Sequence, residues 1–315
     1  MREETRIQIE NMKSQEFGVE IEGNNITRQK AAKKAAEYFG TGRCEYTAGR
    51  NGYMTWSAWD QQGREWKFQR DVSIAGPDDQ KCEMVTPILT YTDMELLQGL
   101  IRVLRKAGMK SDYGRGCGVH VHISGEGHTP QTIRNLVNIM AAHESQLVKA
   151  IGIDSYRMAR YCKMVDRSFL EEINRKKPKT MRELENIWYE NQGGTNGRTG
   201  HYHSSRYHFC NLHSFFNGHG TVEFRGFQYN VPNGDKKNGL HAGETKAFIQ
   251  LCLAINCLAK QVRFASPKPQ QTENEAYAFR CWMLRLGFIG DEFKTARDYY
   301  LKNMEGNSAW RNAQA

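Results

Sequence analysis

Residues 114–124 read GRGCGVHVHIS, a glycine-rich loop that runs into a short strand pattern. The strand alternates with period two, so His120 and His122 leave one face while the apolar residues between them leave the other. Glycines at the entry allow a backbone or a ligand to approach closely. Two imidazoles on one face indicate either the edge of a metal or phosphate site or the polar side of a half-buried strand. This stretch alone leaves both interpretations open.

The composition is that of a folded, soluble protein. The chain has 315 residues, of which 39% are hydrophobic and 25% charged, a balance that can bury a substantial core and argues against disorder. The N-terminal sequence lacks the apolar core of a signal peptide, and the longest apolar run, near residues 251–259, is too short to span a bilayer. We therefore expect a cytoplasmic protein with no membrane partner.

The net charge of +9 fits either a nucleic-acid partner or an anionic small substrate such as a nucleotide. Basic residues are spread along the chain, and the densest cluster, residues 175–179, is typical of a solvated loop. The eight cysteines form no CxxC pair, which predicts reduced, mostly buried thiols rather than a disulfide framework or a zinc site.

Strand and helix patterns alternate along the chain. Strand patterns occur at residues 16–22, in three short segments within 43–71, and at 81–87, 119–123, 209–212 and 221–227. Helix patterns cover about 27–39, 92–107 and 129–151, parts of 153–192, and then 243–264, 272–288 and 291–304. Residues 1–14 have the composition of a polar tail. Because no repeat or boundary divides the remainder, we expect a single catalytic domain over residues 15–315.

Two capping boxes of the form T-x-x-E predict where helices begin. One pairs Thr92 with Glu95, and the other pairs Thr180 with Glu183. The glycine-rich stretch 193–200 predicts a mobile loop, which leads into the strand at 209–212.

Ionisable side chains recur on the predicted strands. They are Glu20 and Glu22, Asp71, Glu83, His120 and His122, and Glu223 with Arg225. Buried charges are costly unless they are paired or bound to a metal. Carboxylates with an occasional imidazole suit Mg²⁺ or Mn²⁺, and two such ions can bridge nucleotide phosphates while an arginine stabilises the transferred group. The combination therefore indicates a nucleotide and metal site.

Each of these residues also has a structural interpretation when it is taken alone. Glu20 and Glu22 are typical of an exposed strand face, and Asp71 of a turn at a strand end. Glu223 and Arg225 could form a simple ion pair on the sheet. Taken together, these residues favour a functional site over a separate structural role for each of them.

Four motifs together resemble the amidoligase family, relatives of glutamine synthetase and glutamate–cysteine ligase. They are FGVEIE at residues 17–22, CEMVTP at 82–87, CGVHVHIS at 117–124 and NLHS…GTVEFRGF at 211–227. Their order, ExE, a lone Glu, HxHxS and then ExR, is also that of glutamine synthetase, and the resemblance spans about residues 16–230. The chain has no Walker A pattern, so ATP would bind without a P-loop.

This resemblance implies an α+β fold, with a curved, mostly antiparallel glutamine-synthetase-like sheet flanked by helices and a helical C-terminal region. The sheet would bind ATP and two divalent cations, Mg²⁺ or Mn²⁺. One ion would be held by Glu20, His120 and Glu223, and the other by Glu22 and Glu83.

The resemblance also implies roles around the nucleotide. His122 would lie near phosphate, and Arg225 near phosphate or the substrate carboxylate. Arg206 would correspond to a phosphate-binding arginine, and Asn211 belongs to the late polar segment of the family. Asp71 would complete the second metal site or orient the incoming amine.

The predicted activity is that of an ATP-dependent carbon–nitrogen ligase. ATP would phosphorylate a substrate carboxylate, and an amine of an amino acid, peptide or protein side chain would attack the acyl phosphate to form an amide or isopeptide bond. Residues 193–203 are a candidate lid over this reaction. Two other functions stay open: a metal-dependent hydrolase that uses the same carboxylates and imidazoles, and a nucleic-acid-binding protein, which only the net charge suggests. The sequence determines neither the substrates nor the oligomeric state.

Overall fold

The computed structural model describes residues 3–48, 52–232 and 239–310. Within these ranges the chain forms a mixed α/β fold with eight strands in an open antiparallel sheet and eleven α-helices. The predicted fold class, an antiparallel sheet combined with helices and a helical C-terminal region, is confirmed. All eight cysteines lie in the described part of the chain and are free thiols, most of them buried, as predicted.

The strands follow the segments that the alternation predicts. They are β1 (Phe17–Gly23), β2 (Cys44–Ala48), β3 (Thr55–Trp59), β4 (Glu65–Gln69), β5 (Cys82–Val85), β6 (Val119–Ser124), β7 (Cys210–Asn211) and β8 (Thr221–Phe227). Their order in the sheet is β2-β3-β4-β5-β1-β6-β8-β7. The pairings β1–β5, β2–β3, β3–β4, β4–β5 and β7–β8 are antiparallel.

The helices include the three expected near the C-terminus, each a little shorter than predicted. They are α1 (Glu3–Lys13), α2 (Arg28–Phe39), α3 (Met94–Lys106), α4 (Pro130–Ile151), α5 (Ser155–Arg160), α6 (Arg167–Lys176), α7 (Met181–Asn191), α8 (His213–Phe216), α9 (Ala242–Gln261), α10 (Glu275–Arg285) and α11 (Lys294–Leu301).

The chain divides into two compact units, each assembled from separate stretches of sequence. The unit that contains the ExE motif comprises residues 16–121 and 227–246, and we call it the ExE unit. The unit that contains the ExR motif comprises residues 1–15, 122–226 and 247–315, and we call it the ExR unit. Strand β6 contributes its first three residues to the ExE unit and its last three to the ExR unit. Whether the chain is functionally one catalytic domain stays a prediction.

Two local features differ from the sequence-based expectation. The stretch expected to be a polar tail contains α1, in which Ile9 and Met12 are buried three residues apart on one face. The capping box predicted at Thr92 and Glu95 is wrong, because Thr90 is the residue that pairs with Asp93, and its backbone N–H donates to Asp93 Oδ2 at 2.9 Å. The box at Thr180 is present as predicted, and Thr129 caps the N-terminus of α4.

Gly226 is fixed by packing. A Cβ atom added at this position would lie 2.3 Å from ring carbons of Phe209, far inside the contact distance that real side chains tolerate. Phe209 is itself buried. The glycine that follows Arg225 therefore leaves room for an aromatic ring next to β8.

Candidate active site

The strand register of the ExE unit brings polar residues side by side. Glu22 on β1 lies directly opposite Glu83 on β5, and Glu83 lies opposite Gln69 on β4. Glu20 leaves the same face of β1 as Glu22 because the two are separated by one residue. The antiparallel pairing thus places Glu22, Glu83 and Gln69 in a row across three neighbouring strands.

His120 on β6 stands between the two acids of β1. Its Nδ1 lies 2.9 Å from Glu20 Oε2, and its Nε2 lies 3.9 Å from Glu22 Oε1. The backbone N–H of Gly118 donates to Glu22 Oε2 at 2.6 Å. The glycine-rich entry to the strand therefore positions an acid of the site through its main chain, and a strongly buried carboxylate gains a fixed donor.

The environment of Glu83 is strongly unfavourable for a charged carboxylate. Burial raises its pKa well above the ordinary value, and the nearby carboxylates of Glu20, Asp71 and Glu22 raise it further. A hydrogen bond that Gln69 Nε2 donates to Glu83 Oε2 at 2.8 Å acts in the opposite direction. Four carboxylates that repel one another around a buried position are compatible with a bound divalent cation, which would compensate their charge.

Two overlapping sets of side chains could hold such an ion. One set is Glu20, Glu83 and His120, and the other is Glu22, Asp71 and Glu83; within each set the ligand atoms lie within 4.8 Å of one another. Mostly oxygen donors with one imidazole fit Mg²⁺ or Mn²⁺. Glu83 stands in both sets, whereas the family resemblance places it only in the second. Asp71 joins the second set, which is one of the two roles that the resemblance implies for it.

Asp71 forms a turn and also lies close to other possible metal ligands. Its Oδ1 accepts hydrogen bonds from the backbone N–H and the hydroxyl of Ser73, both at 2.6 Å, which is the expected turn at the end of a strand. It also belongs to the second set of possible ligands. The turn holds the carboxylate beside the other acids.

In the ExR unit, Glu223 on β8 accepts hydrogen bonds on both carboxylate oxygens. Arg225 Nη1 donates to Oε1, and the side-chain amide of Asn211 donates to Oε2 at 2.6 Å. His122 Nε2 lies 3.9 Å from Oε1, and His122 Nδ1 lies 3.2 Å from the Thr221 hydroxyl. Four of the residues singled out from the sequence, His122, Asn211, Glu223 and Arg225, are therefore neighbours.

Arg206 and Arg225 both approach the ring of Tyr207. Their guanidinium carbons lie 5.8 Å and 5.9 Å from the ring centroid. Arg206 Nη1 also donates to the His201 carbonyl at 3.4 Å, and Arg225 Nε to the Tyr161 carbonyl at 3.4 Å. Two guanidinium groups near one aromatic ring suit recognition of a phosphate or carboxylate.

Backbone carbonyl groups of the loop predicted to be a lid lie within hydrogen-bond distance of side chains. His203 Nε2 lies 3.1 Å from the Gly194 carbonyl, and Tyr189 Oη donates to the Arg198 carbonyl at 3.2 Å. His213 Nε2 lies 2.9 Å from the carbonyl of Gly200. These contacts hold residues 194–200 against α7 and α8.

Sequence reasoning missed three residues of these clusters. Gln69 could have been found, since it lies two residues before Asp71 and so shares its side of an extended strand. Tyr207 carries no local pattern that marks it, and His213 lies in the NLHS motif but has no predicted role, because the contacts of both come from residues distant in the sequence.

The comparison with known proteins assigns the chain to a class. A family model described as "Putative amidoligase enzyme" matches residues 13–256, well over half of the chain. The chain belongs to this amidoligase family. The family identified from the four motifs is confirmed.

Among solved structures, a bifunctional glutathione synthetase from Pasteurella multocida is similar at a TM-score of 0.46 and 12% sequence identity. The likeness covers 95% of this chain and 48% of that protein, so the chain spans about half of its length. No curated protein matches the sequence. None of the helices that the structure describes is both long and apolar enough to cross a membrane.

Proposed function

We propose that the protein is an ATP-dependent carboxylate–amine ligase that uses divalent metal ions and an acyl-phosphate intermediate. The observation that carries this proposal is the convergence of Glu20, Glu22, Asp71, Glu83 and His120 in the ExE unit. Acids at this density around a buried carboxylate serve no evident structural purpose, and they match the demands of Mg²⁺ bound together with a nucleotide.

The metal-binding role falls on the two sets of the ExE unit. Bound ions would neutralise the charge that builds up on the phosphate oxygens. Hydrogen bonds would orient two of these ligands before an ion binds. Gly118 N–H donates to Glu22, and the Gln69 amide donates to Glu83. In the ExR unit, Glu223 keeps the metal-ligand role that the family resemblance implies.

The anion-binding role falls on Arg206, Arg225 and His122. Arg225 is buried, and its pairing with Glu223 fixes the direction of the guanidinium group. In this proposal the γ-phosphoryl group moves from ATP to the substrate carboxylate, and ADP leaves. The amine then attacks the acyl carbon, phosphate leaves, and the amide bond forms. The protein contributes mainly positioning and electrostatic stabilisation.

Asp71 has two proposed roles, as a metal ligand or as a group that orients the amine. Its place beside Glu22 and Glu83 favours the ligand role. One of its oxygens is already engaged by Ser73, which leaves the other for a cation. Residues 193–203 are the proposed lid, which would exclude water from the acyl phosphate.

The direct test is ADP release by the purified full chain with ATP, Mg²⁺ and a broad pool of amino acids and peptides. We expect release that depends on both the metal and the pool, and a loss of at least a hundred-fold in Glu83→Gln. Glu45→Gln is the matched control, because Glu45 is an exposed acid on β2 outside the two sets. The proposal fails if the wild-type protein neither releases ADP nor binds ATP in calorimetry with Mg²⁺. Turnover of a phosphoester or amide without ATP would support the hydrolase instead.

A further inference from the structure

Arg157 is a buried arginine of the ExR unit that has no counter-ion in the described part of the chain. It lies on the short helix α5 and is only 4% exposed. Its Nε is buried without a hydrogen-bond partner, and no described carboxylate forms an ion pair with the guanidinium group. The backbone N–H of Arg157 donates to Asp154 Oδ1 at 3.1 Å, a contact that caps the helix and leaves the side chain unpaired.

The other two arginines that are buried in the described ranges do have partners. Arg28 donates to three backbone carbonyl groups at 2.7–3.2 Å, and Arg225 is paired with Glu223. A buried charge is strongly destabilising unless it is paired, and a guanidinium group cannot escape this cost by losing its proton. The missing partner of Arg157 is therefore an anion from outside the chain.

Tyr161 connects Arg157 to the arginines that have the proposed anion-binding role. The guanidinium carbon of Arg157 lies 6.0 Å from the centroid of the Tyr161 ring, and the Tyr161 carbonyl accepts from Arg225 Nε at 3.4 Å. The Tyr161 ring packs edge-on against the Tyr207 ring, with 6.2 Å between the centroids. Tyr207 is the ring that Arg206 and Arg225 approach. Three guanidinium groups thus lie around one pair of tyrosines.

The thiol of Cys162 lies near both Arg157 and Arg225. Burial raises the pKa of this thiol, and the positive charges of the two arginines act in the opposite direction. One buried group is therefore within the field of both guanidinium groups. This places Arg157 in the same part of the ExR unit as Arg225, independently of the ring contacts.

We propose that Arg157 binds a second carboxylate of the acid substrate, one that is not activated. This inference rests on the proposed ligase function, because it specifies which carboxylic acids the site accepts. Arg157 and Arg225 contact different parts of Tyr161, so they are placed to hold two separate anionic groups. With Arg225 at the reacting carboxylate or its phosphate, Arg157 takes the other acidic group of the same molecule. The acid substrate is then a dicarboxylate.

A carboxylate matches Arg157 better than the other candidates do. A cation would be repelled, and a water molecule would not neutralise the charge. The planar guanidinium fork fits the two oxygens of a carboxylate, and a side chain with so little exposed surface suits a small terminal group. The phosphates of ATP already have proposed partners in the metal ions, Arg206, Arg225 and His122.

The first test is calorimetric binding of simple probes to the full chain in metal-free buffer. The probes are the dicarboxylates succinate, glutarate and adipate, with pentanoate as the monocarboxylate. We expect at least one dicarboxylate to bind about ten-fold or more tightly than pentanoate. Arg157→Met removes the guanidinium group but keeps most of its aliphatic stem, and it should abolish this preference. Arg160→Met, at an exposed arginine of the same helix, is the matched control and should keep it.

Two further measurements distinguish ligand binding from a structural role. Arg157→Met should not lower the Tm of the ligand-free protein, because it removes a charge that has no partner. Arg157→Lys keeps the charge but loses the fork, so its affinity for the dicarboxylate should lie between those of the wild type and Arg157→Met. A lower Tm in Arg157→Met together with wild-type affinity in Arg157→Lys would show a structural role and overturn the proposal. Equal affinity of the wild type for pentanoate and the dicarboxylates would also overturn it.

Kinetics of ADP release separate this proposal from the ligase function itself. With ATP, Mg²⁺, an amine pool and the dicarboxylate that binds, Arg157→Met should raise the KM for the acid about ten-fold or more and leave the KM for ATP within about two-fold. A rise in the KM for ATP instead would make Arg157 a phosphate contact and overturn the proposal. ADP release with pentanoate that is unaffected by Arg157→Met would overturn it too, while the ligase function stands. If the wild type binds a dicarboxylate through Arg157 but never releases ADP, the ligase function fails and the carboxylate site stands.

Discussion

Asn211 and Glu223 face each other across β7 and β8, and the Asn211 amide donates to Glu223 Oε2 at 2.6 Å. The other end of the same amide, Oδ1, accepts from the backbone N–H of His213 at 2.8 Å. His213 in turn reaches the Gly200 carbonyl through its ring. A continuous series of hydrogen bonds therefore connects residues 193–203 to the acid that holds Arg225.

The first prediction concerns Asn211→Asp. This change places a second carboxylate against Glu223 Oε2, and the two acids cannot both stay ionised at that distance. We expect kcat/KM for ADP release to fall about ten-fold or more, with an altered pH profile. Asn307→Asp, at an exposed asparagine, is the control and should behave as the wild type. Wild-type kinetics in Asn211→Asp would show that the contact has no role.

The second prediction concerns the hydrogen bond that restrains the loop at residues 193–203. His213→Phe keeps the ring volume but removes the hydrogen bond to the Gly200 carbonyl. Trypsin cuts after Arg198 within this loop, so cleavage there should become several times faster, because proteolysis samples the open state. Cleavage after Arg263, in an exposed segment of the ExR unit, is the internal control. An unchanged rate at Arg198 would mean that His213 does not restrain the loop.

Glu83→Gln should change stability and metal binding in opposite directions. Removing one of four crowded carboxylates relieves repulsion and burial of charge, so without metal the Tm should rise by roughly 2–6 °C. The stabilisation of the wild type by millimolar Mn²⁺, which follows from binding to the folded state, should be lost in this variant. Differential scanning calorimetry with and without Mn²⁺ measures both effects. A lower Tm in the metal-free variant would contradict the prediction.

The fourth prediction concerns pH and rests on Glu144. Burial raises the pKa of this acid to about 8 from an ordinary 4.5. The unfolded chain therefore loses this proton at lower pH than the folded chain, so the contribution to stability is full below pH 4.5 and is lost as the pH rises towards 8. The loss amounts to about 3 kcal/mol between pH 4 and pH 7.

Denaturation in urea at several pH values measures this contribution. Glu144→Gln should remove this part of the pH dependence and be less sensitive to pH than the wild type over that range. Glu171→Gln, at an exposed acid, should keep the wild-type slope. Parallel stability curves for the wild type and Glu144→Gln would show that Glu144 does not titrate in this way.

Alternation alone was enough to assign the polar faces of the strands. Glu20 and Glu22 are two residues apart, so the period of a single strand places them on the same face. That face can be predicted without knowing which strands pair with β1. The placement of Glu83 is different. It depends on the register between β1 and β5, strands separated by about sixty residues, and the position of Gln69 depends on β4 in the same way. Local patterns do not encode a register of that kind.

The errors have a similar origin. Thr90 forms the capping box because Asp93 is also bound by Arg64, whose two terminal nitrogens donate to its carboxylate at 2.9 and 2.8 Å. Arg64 lies in another segment of the sequence, so the local pattern at Thr92 gave no sign that Thr90 would form the capping box instead. The burial of Met12 in α1 likewise requires packing that the polar N-terminal composition conceals.

The contact between Gly226 and Phe209 constrains how this family member can diverge. The two positions share one volume, so a larger residue at one should be accompanied over evolutionary time by a smaller residue at the other. Arg225 has a proposed role in ligase chemistry, whereas the size of the Phe209 ring restricts the neighbouring residue to glycine. The glycine that follows Arg225 is thus explained by packing against Phe209.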